Sequence, residues 1–166
     1  MKYRAISPFI DGDISIGIER MSECLEELAP LHEAHYAETE EAYLDDPYDP
    51  DYARLFRLEE DGGYVVFTVR KNMELVGYIQ YHVFRDLHTQ RVYTAREDCL
   101  YIKPEARGLG LAPKLLNFAE YGLRQLNCKY VGMTSKSPVG GPDIRPFLEK
   151  RGYRMVAEYF SKKLED

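Results

Sequence analysis

Between Pro104 and Leu116 the chain reads PEARGLGLAPKLL, with two glycines one residue apart, an arginine before them and a proline after. Gly108 and Gly110 remove side chains where a backbone must bend and where a ligand could come close. Pro113 suits the first turn of a helix, where its missing N–H costs nothing. The first turn of such a helix points unpaired amides outward, and the helix dipole gives them partial positive charge. That chemistry holds an anion, above all a phosphate. Charge-assisted hydrogen bonds contribute on the order of 1.5–3 kcal/mol each, so three or four could retain a diphosphate. Arg107 supplies a fixed charge at the edge. A Rossmann fingerprint is excluded because Pro113 stands where its third glycine belongs, and a P-loop is excluded because no Gly-Lys-Ser/Thr follows.

A few residues earlier stand two adjacent carboxylates, Glu97 and Asp98. Strand alternation sends neighbours to opposite faces, so one of the two is expected to look into a site. Asp98 shares parity with Leu100 and Ile102, and Glu97 faces the other way. His32 and His35 form an H-x-x-H with Glu38 one turn on, a spacing that either binds zinc or simply lines a helix face. The latter is the expectation, and no metal is assigned. Cys99 has the chemistry of a nucleophile but no identified histidine partner, which reads as core.

These residues need elements to hold them. Leu25, Leu28, His32, Tyr36 and Thr39 recur near helical spacing, with Ser22 as the expected N-cap. Pro30 would kink that helix or mark its first turn. DDPYDP breaks the chain, and DYARLFRLEEDGG reads as a short helix closed by Gly62. YVVFTVR and ELVGYIQYHVF, joined by KNM, read as an antiparallel hairpin, and VYTAREDCLYI as a further strand. APKLLNFAEYGLRQLN is an amphipathic helix with a stripe of Leu115, Phe118, Ala119, Leu123 and Leu126. CKYVGMTS is expected as a strand, DIRPFLEKRG as a short helix and YRMVAEYFSKKL as a last strand. The order gives an α/β (α+β) sandwich around one mixed sheet.

The chain has 166 residues, enough for one domain with a single core and short for two. No apolar run approaches the roughly 20 residues that a membrane span needs, and the N-terminus carries no signal-like apolar stretch. Three well-separated cysteines without C-x-x-C spacing fit a reducing cytoplasm. The formal charge of −6 argues against a nucleic-acid partner and suits a cationic one. Acid is concentrated from Glu33 to Asp61, where eleven carboxylates meet two arginines, Arg54 and Arg57. Read from the residues alone, this segment is a solvated surface.

The run Arg107-Gly108-Leu109-Gly110-Leu111-Ala112 resembles the R/Q-x-x-G-x-G/A signature of the GNAT superfamily of acyl-CoA-dependent N-acyltransferases. LYIKPEARG before it, Leu115-Leu116 within the helix, and FLEKRGY some forty residues later are similar to that family's pattern in the same order. The likeness covers roughly Tyr64 to Leu164. AREDCLYIKPEARG, with HEAHYAE upstream, looks like members encoded by bacteriophages. The resemblance implies a GNAT-like domain with a central twisted mixed sheet of six to seven strands, helices on both faces, and two parallel strands that splay. Residues 1–62, an N-terminal strand and acidic helices, would form the acceptor side, and residues 63–166 the cofactor core. Acetyl-CoA would enter between the strands containing Leu100 and Met133. Its pantetheine would pair with the backbone of Leu100, Tyr101 and Ile102, and its pyrophosphate would lie on amides from Leu109 to Ala112. The acetyl group would pass directly to an amine of a small molecule or protein, with a strand amide polarising the thioester and a carboxylate of the strand before the loop, Asp98 preferred and Glu97 second, taking the amine's proton. A homodimer is compatible with the resemblance. The family's tyrosine acid is replaced by Leu148, leaving Tyr153, Tyr159, water or direct thiolate departure. The rival expectation is a GNAT-fold binding module that grips a protein partner.

Overall fold

The computed structural model describes residues 6–40, 46–135 and 143–164. They fall into two compact units, Met1–Thr134 and Ser135–Asp166. In the first, six strands form one sheet in sequence order: β1 (Phe9–Asp11), β2 (Ile14–Ile18), β3 (Tyr64–Lys71), β4 (Glu74–Arg85), β5 (Tyr93–Ile102) and β6 (Cys128–Gly132). All neighbours are antiparallel except β5 and β6, which run parallel. Asn72 and Met73 both take positive φ in the two-residue turn between β3 and β4, the geometry that matches the twist of a tight hairpin.

Alternation along β3 sorts the core into two layers. Tyr64 and Val66 join Tyr78 and Tyr101 beneath helix α1 (Met21–Thr39), with Leu55 and Phe56 of α2 (Tyr52–Glu60) packed alongside. Phe67 faces the other way and meets Phe118 of α3 (Leu111–Gln125) edge to face, with ring centroids 6.2 Å apart. Leu115, Leu116, Ala119 and Leu123 of α3 are fully or nearly fully buried. Gly122 lies on the same face, and a methyl added there would come within 2.5 Å of the buried Phe67 ring. Alanine ordinarily stabilises a helix interior by about 1 kcal/mol over glycine. Here overpacking outweighs that gain, so Gly122→Ala is expected to lower stability by about 1–2 kcal/mol, read as a lower urea midpoint at unchanged slope.

Helix α1 begins one residue earlier than the expected cap. Arg20 is the N-cap without a side-chain bond, Ser22 lies inside the helix, and the Met21 amide donates to both Glu59 carboxylate oxygens at 3.0 and 3.1 Å. The cap is thus supplied by α2, 38 residues away in sequence. The helix runs through Pro30. Arg70 clamps the start of α1 to the sheet, donating to Glu19 and Glu27 at 2.8 Å each. Helix α2 follows the sequence reading closely: the Asp51 side chain accepts from the Arg54 amide, and Gly62 takes positive φ just past the end.

Two expectations at the C-terminal end need correction. Strand β6 stops at Gly132 rather than reaching Ser135. In the second unit, α4 (Arg145–Lys150) forms as expected, but residues 153–164 form no strand. Met155, Val156, Tyr159 and Phe160 are all exposed. β-propensity describes fitness for a pleated, half-buried surface, and without a ladder partner it makes no strand.

Candidate active site

The bridging feature is β5. Its parallel pairing with β6 runs from Tyr93 opposite Cys128 to Arg96 opposite Gly132 and ends there, while β5 continues for six more residues to Ile102. From Glu97 onward, β5 keeps only its β4 neighbour in the sheet. On the β4 side the register shifts: Gln80 opposes Cys99 and Tyr81 opposes Glu97, so Asp98 has no partner. A bulge of this kind re-aims a side chain. It overturns the parity argument. Asp98 does not share a face with Leu100 and Ile102; it joins Cys99 on the α1 side, where Tyr64 donates to its Oδ2 at 2.6 Å and His82 Nε2 lies 3.6 Å from its Oδ1.

Glu97 goes the other way. It opposes Tyr81, whose ring meets Phe67 on the α3 side, and its Oε2 accepts the Thr134 amide at 3.0 Å, just where β6 has ended. The two carboxylates therefore part company electrostatically. Burial, helped by the charge of Asp98 and only partly offset by Thr134, pushes Glu97 up to about 7. For Asp98, burial raises the pKa, but the nearby His82 ring and the hydrogen bond from Tyr64 outweigh it and hold the group below the ordinary aspartate value. A carboxyl whose folded pKa is raised binds more protons folded than unfolded between the two values, so stability is highest below about 4.5 and is lost as pH rises through about 7. Thermal midpoints of the wild type should fall across this window, and Glu97→Gln should flatten most of that slope. An unchanged slope in the variant would remove the assignment.

Asp98 and Cys99 form one wall of a cleft of about 180 Å³ beneath α1. His32, His35, Tyr36 and Glu40 line it from the helix, and Tyr48 and Pro50 from the following segment. Residues 41–45 of the acidic stretch lie outside the described residues. The cleft's polar groups are bonded to one another. Gln80 Nε2 donates to His32 Nε2 at 2.9 Å, which leaves His32 Nδ1 to donate to the Tyr52 hydroxyl at 3.2 Å, and Tyr48 meets Tyr52 at 3.1 Å. His35 Nδ1 pairs with Tyr78, Cys99 donates to Gln80 Oε1, and Tyr36 donates to the Asp46 carbonyl. Burial lowers His32 to about 4, so the ring is neutral near pH 7. The H-x-x-H pair is thus spent on protein partners, and no group of metal ligands occurs among the described residues.

At the far end of β5 a 3-10 turn (Pro104–Ala106) leads to Arg107, then to Gly108 and Gly110, with φ of 79° and 70°, and Gly110 is the N-cap of α3. The amides of Gly108 through Ala112 have no acceptor among the described residues. A Cβ at Gly108 or Gly110 would meet nothing within 4 Å, so internal packing does not demand these glycines. What demands them is the left-handed backbone, and the space over the amides stays open. Arg107 is less free than expected: Nε donates to the Ile102 carbonyl at 2.9 Å and an Nη to Glu38 at 2.6 Å, fastening the loop to β5 and α1. Leu148 is buried on α4, and Tyr159 is exposed.

Sequence reasoning missed Tyr64, Gln80, His82 and Tyr78 as parts of this site. They are ordinary alternating strand residues, and only the β-ladder brings them to Asp98 and α1.

A profile of the Acetyltransferase (GNAT) family matches residues 28–153. No curated protein sequence matches significantly. Solved structures give the fold. An aminoglycoside acetyltransferase from an uncultured soil metagenomic sample, in complex with sisomicin, has a TM-score of 0.71 at 15% identity, covering 95% of this chain and 100% of that one. Glucosamine-6-phosphate N-acetyltransferase from Arabidopsis thaliana gives 0.67 at 13% identity, with 92% and 99% covered. Ribosomal-protein-alanine N-acetyltransferase from Brucella melitensis biovar Abortus 2308 gives 0.62 at 19% identity, again with 92% and 99% covered.

Proposed function

The chain belongs to the GNAT acetyltransferase family, and from that premise we propose that it moves the acetyl group of acetyl-CoA directly to a primary amine bound in the cleft beside Asp98. The observation that carries this reading is the bulge: it turns a carboxylate held in its ionised form into a cleft, on the strand segment that β6 has just left unpaired. The residues fit the cofactor. Open amides from Leu109 to Ala112, with Gly108 and Gly110 kept bare, would receive the diphosphate, and the unpaired edge at Leu100, Tyr101 and Ile102 would receive the pantetheine backbone. Acetyl-CoA supplies the activated thioester.

The chain's own residues do the rest. An alkylammonium with an ordinary pKa near 10.4 cannot attack until it loses a proton. Asp98 attracts that cation and accepts the proton, and Tyr64 and His82 fix the carboxylate's orientation. Glu97 holds Thr134 at the mouth of the splay, so its role is positioning rather than proton transfer. Arg107 pins the loop instead of offering a free charge. The likeness of HEAHYAE and AREDCLYIKPEARG to bacteriophage-encoded members, and a cytoplasmic location suggested by three free thiols, belong to this proposal.

Calorimetric titration with acetyl-CoA, followed by thiol release with a panel of amines and peptides, tests it. Saturable binding and amine-dependent thiol release are expected. Binding without release from any amine would favour a binding module, and absence of both would remove the transferase reading.

A further inference from the structure

Resting on the transferase reading, we infer that the acceptor carries a carboxylate as well as its amine, the carboxylate held by Arg96 while the amine lies at Asp98. The inference comes from how the sheet continues past the cleft. His82 pairs with Arg96 across β4 and β5, and Phe84 pairs with Thr94, so these four side chains share one face. His82 shows which face it is. Its ring lies edge-on to that of Tyr64, with centroids 4.9 Å apart, and its Nε2 is 3.6 Å from Asp98 Oδ1. The strip is open: Asp98 and His82 each leave 41% of their side chains exposed, Arg96 is exposed and Phe84 is half-buried.

Arg96 is held in place without being neutralised. Its guanidinium lies 5.4 Å from the Phe84 ring centroid, and among the described residues no carboxylate pairs with it. Arg70, Arg107 and Arg145, by contrast, each donate to an acid at 2.8, 2.6 and 2.8 Å. Stacking on a ring engages the face of a guanidinium and leaves the N–H groups at its rim directed outward. Those groups form the planar fork that matches a carboxylate through two parallel hydrogen bonds. The opposite charges also orient a ligand, because Asp98 repels the anion and Arg96 repels the ammonium. Their spacing sets its length. Arg96 is the last residue of β5 that still pairs with β6, opposite Gly132, and Asp98 is the bulged residue two positions on. Phe84 lies on the far side of Arg96, level with Thr94, so the stack draws the guanidinium away from Asp98. Two to four residues of strand, at about 3.3 Å each, put the two charges on the order of 10 Å apart. An extended tripeptide covers that span, and so does a medium-length ω-amino acid. The same chemistry could come from either source.

The experiment measures thiol release at saturating acetyl-CoA with 8-aminooctanoate, triglycine and their neutral partners 8-aminooctanamide and triglycinamide, in the wild type and in Arg96→Gln. At least one carboxylate should exceed its own amide by about tenfold or more in kcat/KM, the low end for a bidentate charge-assisted pair. Whichever carboxylate shows the larger ratio identifies the source. In Arg96→Gln the ratio should fall to near one, whereas a merely structural role would lower carboxylate and amide together and leave the ratio standing. A ratio near one in the wild type, or one that survives Arg96→Gln, would overturn the inference while leaving the transferase reading intact. A protein that gives no heat with acetyl-CoA would instead sink the reading beneath it. Should acetyl-CoA bind and no amine turn over, calorimetric titration of the CoA-saturated protein with the same four compounds decides. A carboxylate that binds at least tenfold tighter than its amide, in the wild type and not in Arg96→Gln, supports the proposal, and equal binding or none overturns it.

Discussion

Asp98→Asn is expected to lower kcat for amine acetylation by 10²–10⁴-fold while leaving acetyl-CoA affinity within about twofold. Asparagine keeps an oxygen for the Tyr64 hydroxyl, so the bulge and the cleft should survive the change. What disappears is the negative charge that draws the ammonium in and the site that accepts its proton. Because the nearby His82 ring and the hydrogen bond from Tyr64 keep Asp98 below the ordinary aspartate value, the wild-type group stays ionised from pH 6 to 9. Loss of activity in the variant should therefore be uniform with pH from 6 to 9, not confined to one limb. A variant that retains more than about a tenth of wild-type turnover would take Asp98 out of the chemistry and return attention to Glu97, whose pKa of about 7 would then predict a sigmoid pH profile.

The second large effect belongs to the loop. Gly110→Val should weaken acetyl-CoA binding by 10²-fold or more, measured by calorimetry. A β-branched residue at φ 70° is strained, and its side chain would stand where the diphosphate must approach. Losing two charge-assisted hydrogen bonds, at about 1.5–3 kcal/mol each, already accounts for that factor. Since nothing in the protein lies within 4 Å of the added Cβ, the folding cost should stay near the ~1–2 kcal/mol of backbone strain. Unchanged affinity would place the diphosphate elsewhere.

The contrast between these two sites explains what could be read from the chain alone. The loop was legible because its signal is local: two glycines, a proline in the first turn and an amphipathic helix lie within 20 residues, and each constrains the backbone on its own account. Helix α2 was legible for the same reason, with Asp51 and Gly62 marking its ends. Asp98 lines a cleft, but the parity argument that singled it out is overturned by the ladder. A bulge depends on how β4 registers against β5, and strict alternation along β5 gives no hint of it. The N-cap of α1 was invisible because it comes from Glu59 in another helix, and Ser22 offered a plausible local substitute. His32 read as a polar residue on a helix face, but its partners Gln80 and Tyr52 lie far off in sequence. The last expected strand failed for the complementary reason. Residues 153–164 have the composition of a strand, but strands exist only in pairs.

The unpaired position of Asp98 has a further meaning. Every residue of β5 on either side of it keeps its own cross-strand neighbour, so removing that one codon would leave Gln80 beside Cys99 and Tyr81 beside Glu97 in an uninterrupted ladder. The carboxylate is in effect a supernumerary insertion. A change of length at this one position adds or removes the carboxylate while the cross-strand pairs on either side stay as they are.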